Sequence, residues 1–351
     1  MPEKTSQDTA ASMQQNWDNP RRFAGLTFAA KSKLKPFPLG RNMTNSSRTT
    51  FMNCRRKYQY SYVLGLAPRR PSIPFLVGGL FHDAMDRIYT AKGKYDLDQE
   101  KLIAEKACEK SSESPGLTPE ESDKIWVQSS IVFGMISGYV KQWLPQDLKN
   151  WDVLEAESAF DIPIKLPDGT VFQYRGKTDL IVRHKKTKKV KLVEHKTTSR
   201  LDAGYVSKLP LDNQIIGYVW AKNKEKLGIT EVVYNVVKKP GIRLKQNESL
   251  EQFRKRLVEE YLINTSNYFY RETLTFDPRD IDRFYEELTR FLGEVDRCEK
   301  EQYYYQNTTQ CTAMGVCPFM KLCLDGINDD TLGLYRIKDR AHEELPAEEA
   351  D

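Results

Sequence analysis

Asp179, Glu194 and Lys196 are the residues whose types and spacing point most directly to chemistry. The segments 176–184 and 190–198 flank the basic turn Lys185–Lys189 and are rich in β-branched residues, the composition of two strands. A hairpin centred between Lys186 and Thr187 puts Asp179 directly opposite Glu194. Opposed residues on paired strands face the same side, and a residue two further along shares that side, so Lys196 joins them. Two carboxylates and an ammonium at one edge of a sheet suit phosphodiester hydrolysis. Hard divalent cations such as Mg2+ take carboxylate oxygens while keeping waters. Such a cation polarises a phosphoryl oxygen and lowers the pKa of a bound water. A neighbouring lysine can position that water and balance charge at phosphorus. The same residues would also suit an exposed hairpin whose acids sit beside lysines.

Other segments can contribute to such a centre. The four histidines are His82, His184, His195 and His342. His82 follows Gly78-Gly79 at the start of an expected helix, at the edge of the apolar set Phe81, Ala84, Met85 and Ile88. From there it can reach a metal or serve a structural role. Gln214 and Tyr218 stand four apart, neighbours on one helix face, where an amide and a phenol can orient a lysine, a phosphate or a base. Of six cysteines, Cys311, Cys317 and Cys323 fall within thirteen residues. In an intracellular setting thiols stay reduced, so a metal or cluster site suits this triplet better than disulfides. Cys108 and Cys298 read as core thiols.

The elements that must position these groups change along the chain. Residues 1–42 lack periodicity and read as a flexible basic arm. Thr44–Ser47 offers caps ahead of a helix over 48–60. Pro68, Pro71 and Pro74 mark a loop, Gly78–Ala91 a helix, 111–119 a loop and Glu120–Trp143 a long helix. Strands are expected at 153–164, 171–174, 178–184, 190–196 and 231–238. Helices are expected at 212–226, 249–263 and 280–301. Such an order is an α/β core, a mixed central sheet with helical flanks. Within a domain over 43–325, a helical insert would span about 92–150 and a cysteine segment about 298–325. An acidic tail would follow at 326–351.

The 351 residues are 39% hydrophobic and 29% charged, with a mean hydropathy of -0.63. That supports one large core. No apolar run approaches a membrane span, and the polar N-terminus is unlike a secretory signal, so a soluble, cytoplasmic chain with no membrane partner is expected. The net charge of +5 is unevenly spread. Between Pro20 and Ser72 there are twelve basic residues and no acid. Gln173–Arg200 carries ten against two, and Lys238–Arg256 seven against two. Each stretch is either ordinary solvated surface or a contact for a polyanion; the long acid-free span favours nucleic acid. Arg55, Arg56, Lys57, Lys185 and Lys186 are candidates for DNA-backbone contacts.

Taken in order, the motifs resemble the RecB-like branch of the PD-(D/E)XK nucleases. They are Gly78-Gly79-Leu80-Phe81-His82, Gly176-Lys177-Thr178-Asp179, Glu194-His195-Lys196-Thr197 and Gln214-Ile215-Ile216-Gly217-Tyr218. Phe51-Met52-Asn53-Cys54 upstream, with the cysteine triplet downstream, is similar to the iron–sulfur subgroup, which includes CRISPR-associated RecB-like nucleases and AddB-type subunits. The resemblance covers about residues 46–323. It implies a restriction-endonuclease-like fold whose helical N- and C-terminal parts are joined by a cluster on Cys54, Cys311, Cys317 and Cys323. Four thiolates would also fit zinc. It further implies a Mg2+- or Mn2+-dependent deoxyribonuclease, an exonuclease on single strands or ends. His82, Asp179, Glu194 and the His195 carbonyl would be metal ligands and Lys196 the catalytic lysine, with Gln214 and Tyr218 in a DNA-facing motif. The alternative is a non-catalytic DNA-binding or assembly subunit of a recombination or helicase–nuclease complex. No Walker A pattern occurs, so any helicase partner would be a separate chain.

Overall fold

The computed structural model describes residues 41–92, 94–313, 315–343 and 345. The chain divides into two compact units. One comprises residues 1–69, 159–176 and 286–351, and the other residues 70–158 and 177–285. Apart from residues 41 and 42, the expected N-terminal arm lies outside the described residues.

The first unit opens with strand β1, Asn42–Met43, paired parallel with Gln173 and Tyr174. The expected arm therefore ends sooner, because backbone pairing holds Asn42 in a sheet. Thr44 caps helix α1, Asn45–Asn53, in a reciprocal box with Ser47, as its residue types predict. The expected continuous helix over 48–60 is broken at Cys54, whose backbone is extended. A short helix, Arg55–Tyr58, and a π-turn, Gln59–Val63, follow. Strand β2, Leu66–Pro68, pairs antiparallel with Tyr335–Ile337, a strand near the C-terminus. Tyr60, Leu64, Leu66, Phe319, Leu322 and Tyr335 form the small core beneath this ribbon. The acidic tail thus carries a strand within its described part. Sparse apolar residues hid that strand, which needs the distant β2 as partner.

The second unit holds the larger core. Helix α2, Ile73–Thr90, begins before the expected Gly78. Pro74 sits in its first turn, where the missing N–H is no loss, so the proline starts the helix rather than marking a loop. Helices α3, Leu97–Ser112, and α4, Pro119–Gln142, follow; Thr118 and Glu121 make the capping box of α4. Strands β3, Trp151–Lys165, β4, Val171–His184, and β5, Val190–Thr198, then follow. After them come helix α5, Asn213–Lys224, strand β6, Glu231–Lys238, helix α6, Leu250–Ile263, and strand β7, Phe269–Thr275. The sheet is mixed: β4 and β5 are antiparallel, β5 and β6 parallel, β6 and β7 antiparallel, and β3 adds to β4. Continuous apolar composition makes β6 a buried strand. Edge strand β7 was not expected, because its Tyr-Arg-Glu-Thr centre carries little apolar pattern. Phe81, Met85 and Ile88 of α2 and Val132, Met135 and Ile136 of α4 pack with Leu180, Val182, Val193 and Val233 of the sheet. Among the described residues no helix is long and apolar enough to cross a membrane.

Gly138 shows how closely α4 approaches its neighbours. A Cβ there would stand 2.7 Å from Phe269 Cζ and 2.9 Å from Tyr261 Cβ. Alanine gains about 0.5–1 kcal/mol in a helix, but overpacking against these two costs about 1–3 kcal/mol. Gly138→Ala should therefore lower the urea midpoint. At Gly79, where a Cβ meets nothing within 4 Å, alanine should raise it. A midpoint that rises in both variants would contradict this packing.

Candidate metal centre

The register of β4 and β5 pairs Leu180 with Val193. Asp179 and Glu194, one step further, stand opposite each other as the hairpin spacing predicts. The face they share is largely closed: their side chains are 12% and 1% exposed. Helix α2 brings His82 to the same place. A Cβ at Gly78, one turn earlier, would lie 3.6 Å from Thr197 Oγ1, so this turn of α2 runs beside β5. His82 Nδ1 lies 3.2 Å from Asp179 Oδ1. The other oxygen, Oδ2, accepts the His195 backbone N–H at 2.7 Å.

Lys196 closes the group. Its ammonium donates to Glu194 Oε1 at 2.5 Å and to Gln214 Oε1 at 2.7 Å. A lysine has only donors, so the Gln214 amide must turn its oxygen inward, and its nitrogen donates to the Tyr218 hydroxyl at 2.9 Å. The four-residue spacing on α5 thus orients the lysine through an amide held by a phenol. Asp212, which the sequence reading passed over, starts that helix by accepting the Gln214 N–H at 2.9 Å. Its second oxygen takes the Tyr234 hydroxyl at 2.5 Å. Its type before Asn213-Gln214 was the available signal, that of a helix cap.

Glu157 was also missed. It offers an oxygen within a group, with His82 and Asp179, whose ligand atoms all lie within 4.8 Å of one another. Lys177 pairs with it. Its φ of 47° inside β3 is left-handed, which an L-residue in a strand seldom adopts and which sequence alternation does not reveal.

Electrostatics divide the two facing carboxylates. Burial raises the Asp179 pKa, but the adjoining His82 outweighs it and holds the acid well below the usual carboxylate range. Burial and then the Asp179 charge push Glu194 up. Burial opposes the charge on Lys196, yet Glu194 and Asp212 raise its pKa above the usual value. Among the described residues Glu194 Oε2 has no hydrogen-bond partner despite being buried. Among the described residues the donor atoms that converge within 4.8 Å are those of His82, Glu157 and Asp179, two carboxylates and an imidazole that fit a divalent cation; the orphaned oxygen of Glu194 lies outside that set.

The imidazole of His195 belongs elsewhere. By strand alternation it faces away from Glu194 and Lys196, and it is buried, stacked on Tyr89 at 5.8 Å. Its Nδ1 lies 3.4 Å from Asn235 Nδ2, and burial lowers its pKa to about 3. Its backbone N–H binds Asp179, and its ring meets that of His82 edge to face at 6.4 Å.

Three of the five basic candidates are engaged by other groups. Arg55 pairs with Glu294 and lies over the Tyr305 ring, and Arg56 donates to the Tyr304 carbonyl. Lys57 is half-buried beside them in sequence. Lys185 donates to the Leu148 carbonyl, and Lys186 is exposed on the same turn. Six residues of strand, about 20 Å, separate Lys185 from Asp179.

The cysteine set lies in the first unit. Cys54 Sγ accepts the Asn307 N–H at 3.4 Å, and Cys323 Sγ lies 4.0 Å from the Tyr60 hydroxyl. Cys311 and Cys317 are joined by a backbone bond of 2.8 Å. Burial raises the Cys323 pKa, and nearby Cys317 and Cys54 add to the rise. Among the described residues no three of these sulfurs lie within 4.8 Å of one another. Cys108 and Cys298 are buried, as expected of core thiols.

A mixed sheet with flanking helices, carrying opposed carboxylates and a lysine two residues on, defines the class of metal-dependent nucleases. The chain belongs to the PD-(D/E)XK nuclease superfamily, whose family model matches residues 42–324. No curated protein matches the sequence.

Proposed function

We propose that this chain is a Mg2+- or Mn2+-dependent deoxyribonuclease that works as an exonuclease on single strands or DNA ends. The observation that carries the reading is the orphaned oxygen of Glu194, buried opposite Asp179 with Lys196 alongside. Asp179, Glu194 and His82 would hold the ion, with the His195 carbonyl as a further ligand. A bound divalent cation supplies polarisation of the phosphoryl oxygen and a more acidic water. Lys196, fixed by Glu194 and Gln214, orients the attacking water and offsets charge gathering on the phosphate. Tyr218 keeps the Gln214 amide turned for that task. Exonuclease action and a place in recombination or repair, beside a helicase partner, rest on the RecB-like order of the motifs.

The test is digestion of linear single- and double-stranded DNA labelled at either end, with Mg2+, Mn2+ or chelator, by anaerobically purified protein. Metal-dependent degradation that Lys196→Ala lowers by about 10^3-fold, the scale of one transition-state donor, is the expected result. Wild-type protein that binds DNA and never cuts it would make the chain an assembly subunit.

Cys54, Cys311, Cys317 and Cys323 are further assigned to a [4Fe–4S] cluster. A single zinc at bonds of ~2.3 Å needs its sulfurs about 3.8 Å apart. Among the described residues no three of these sulfurs lie within 4.8 Å of one another, and the choice of a four-iron cluster rests on the likeness of the four positions to the iron–sulfur subgroup. The ligands would clip residue 54 to residue 311, and a cross-link over ~100 residues or more stabilises a chain by about 4–5 kcal/mol in the loop-closure argument. Cys317→Ser should therefore lose bound iron and melt at a clearly lower temperature. A melt equal to that of the wild type would exclude a structural clip, and zinc without iron in the wild-type protein would exclude the cluster.

A further inference from the structure

The carboxyl ends of the parallel strands β5 and β6 open onto a cavity of about 750 Å3. Ser199 just past β5, Lys238 and Lys239 at the end of β6, and Ser266, Asn267 and Tyr270 leading into β7 are among its lining residues. That volume is typical of a ligand site, and crevices at strand carboxyl ends are where open α/β sheets receive ligands. Lys196 lies three residues before Ser199, so about 10 Å of strand separates it from the rim. The short helix Ala203–Ser207 contributes Ala203 and Val206 to the lining, and its Tyr205 lies within electrostatic reach of Lys196, Asp212 and Glu194. Cavity and metal centre are therefore neighbours along both β5 and this helix.

The lining decides what enters. Among the described residues neither Lys238 nor Lys239 has a carboxylate within ion-pair distance. Burial lowers the Lys239 pKa, as expected of an ammonium short of a counter-charge. Asp202, the acid of the lining, is already paired with Arg200 and accepts the Tyr205 N–H. Ser266 and Asn267 are exposed neutral donors. Tyr270 is anchored by its hydroxyl on Glu272 at 2.5 Å, so its ring is held in place. Two uncompensated cations, neutral donors and a fixed aromatic ring match a ligand with negative charges and flat bases.

We propose that this cavity receives the substrate strand next to the phosphodiester being cut, with Lys238 and Lys239 on its phosphates and the Tyr270 ring against a base. The proposal rests on the nuclease reading and deepens it by naming where the strand runs.

Fluorescence anisotropy of an end-labelled thymidine oligonucleotide, in chelator so that nothing is cut, tests it on the full chain. Lys238→Ala/Lys239→Ala should weaken binding about tenfold and reduce the slope of log affinity against log salt by about 1.4, two contacts at ~0.7 each for a single strand. Lys238→Arg/Lys239→Arg should keep both affinity and slope. Should the alanine variant fail to fold, photo-crosslinking of an iodouracil-substituted strand to the wild-type chain should still mark the peptide containing Ser266–Tyr270. Unchanged affinity and slope in a folded variant, crosslinks confined to other peptides, or no binding by the wild type each overturns the cavity. A wild type that cuts DNA while the cavity variant binds it normally leaves the nuclease reading standing alone. A strand crosslinked in the cavity but never cut after Mg2+ is added sinks the nuclease reading and keeps the cavity as a DNA site.

Discussion

Glu194→Ala is expected to lower DNA cleavage by about 10^3-fold or more, the scale on which one transition-state contact acts, while DNA affinity in chelator changes little. The side chain is 1% exposed and one of its oxygens lacks a partner among the described residues, so its removal takes nothing from the surface that a strand would touch. Two consequences are bundled in this variant. The proposed metal loses a carboxylate, and Lys196 loses one of its two anchors, keeping only Gln214. Melting curves separate them. A ligand that binds only the folded state at a hundred times its Kd stabilises it by about 2.7 kcal/mol. Mg2+ or Mn2+ should therefore raise the wild-type midpoint, and that rise should shrink in Glu194→Ala. Asp179→Asn should behave alike, and the double variant should be little worse than either, because ligands of one ion act as a unit. Full cleavage by Glu194→Ala, or an undiminished metal-induced rise, would remove Glu194 from the metal centre.

Asp147→Ala should destabilise the protein by about 3–5 kcal/mol, the usual result of removing one partner of a buried ion pair. Asp147 is 2% exposed and takes a bidentate pair of bonds from Arg271, at 2.6 and 2.8 Å. It also accepts the Tyr89 hydroxyl at 2.6 Å, and Tyr89 and Tyr139 are linked at 2.8 Å. Arg271 further donates to Asn235 at 2.6 Å, and Asn235 to Tyr139 at 3.0 Å. Each member has a partner, so the loss of one carboxylate strands a guanidinium and a phenol together. Asp147→Asn, which keeps one acceptor, should cost less. Urea unfolding gives both values; equal midpoints for Asp147→Ala and the wild type would mean that the network contributes nothing to stability.

The two variants differ in how far their residues could be read beforehand. Asp179, Glu194 and Lys196 obey strand periodicity around a recognisable turn, and Gln214 and Tyr218 obey helix periodicity. Local spacing therefore carries their shared faces. Asp147, Arg271 and Asn235 come from three distant segments and satisfy one another only after folding. Nothing local distinguishes such polar residues from surface ones. Arg55 and Arg56 illustrate the converse, basic residues that look available in sequence yet are engaged with Glu294 and the Tyr304 carbonyl.

By itself the sequence determined the hairpin register, the helix that follows the cap at Thr44, and the shared face of Asp179, Glu194 and Lys196. Each follows from short-range periodicity and backbone hydrogen-bonding needs. Only the tertiary structure decided that Glu157, through a left-handed residue in β3, approaches His82 and Asp179. Only it paired β2 with the strand at Tyr335–Ile337 and gave β7 its place beside β6. Those outcomes depend on which distant surfaces exclude water from one another, and partners tens to hundreds of residues apart leave no period in the chain.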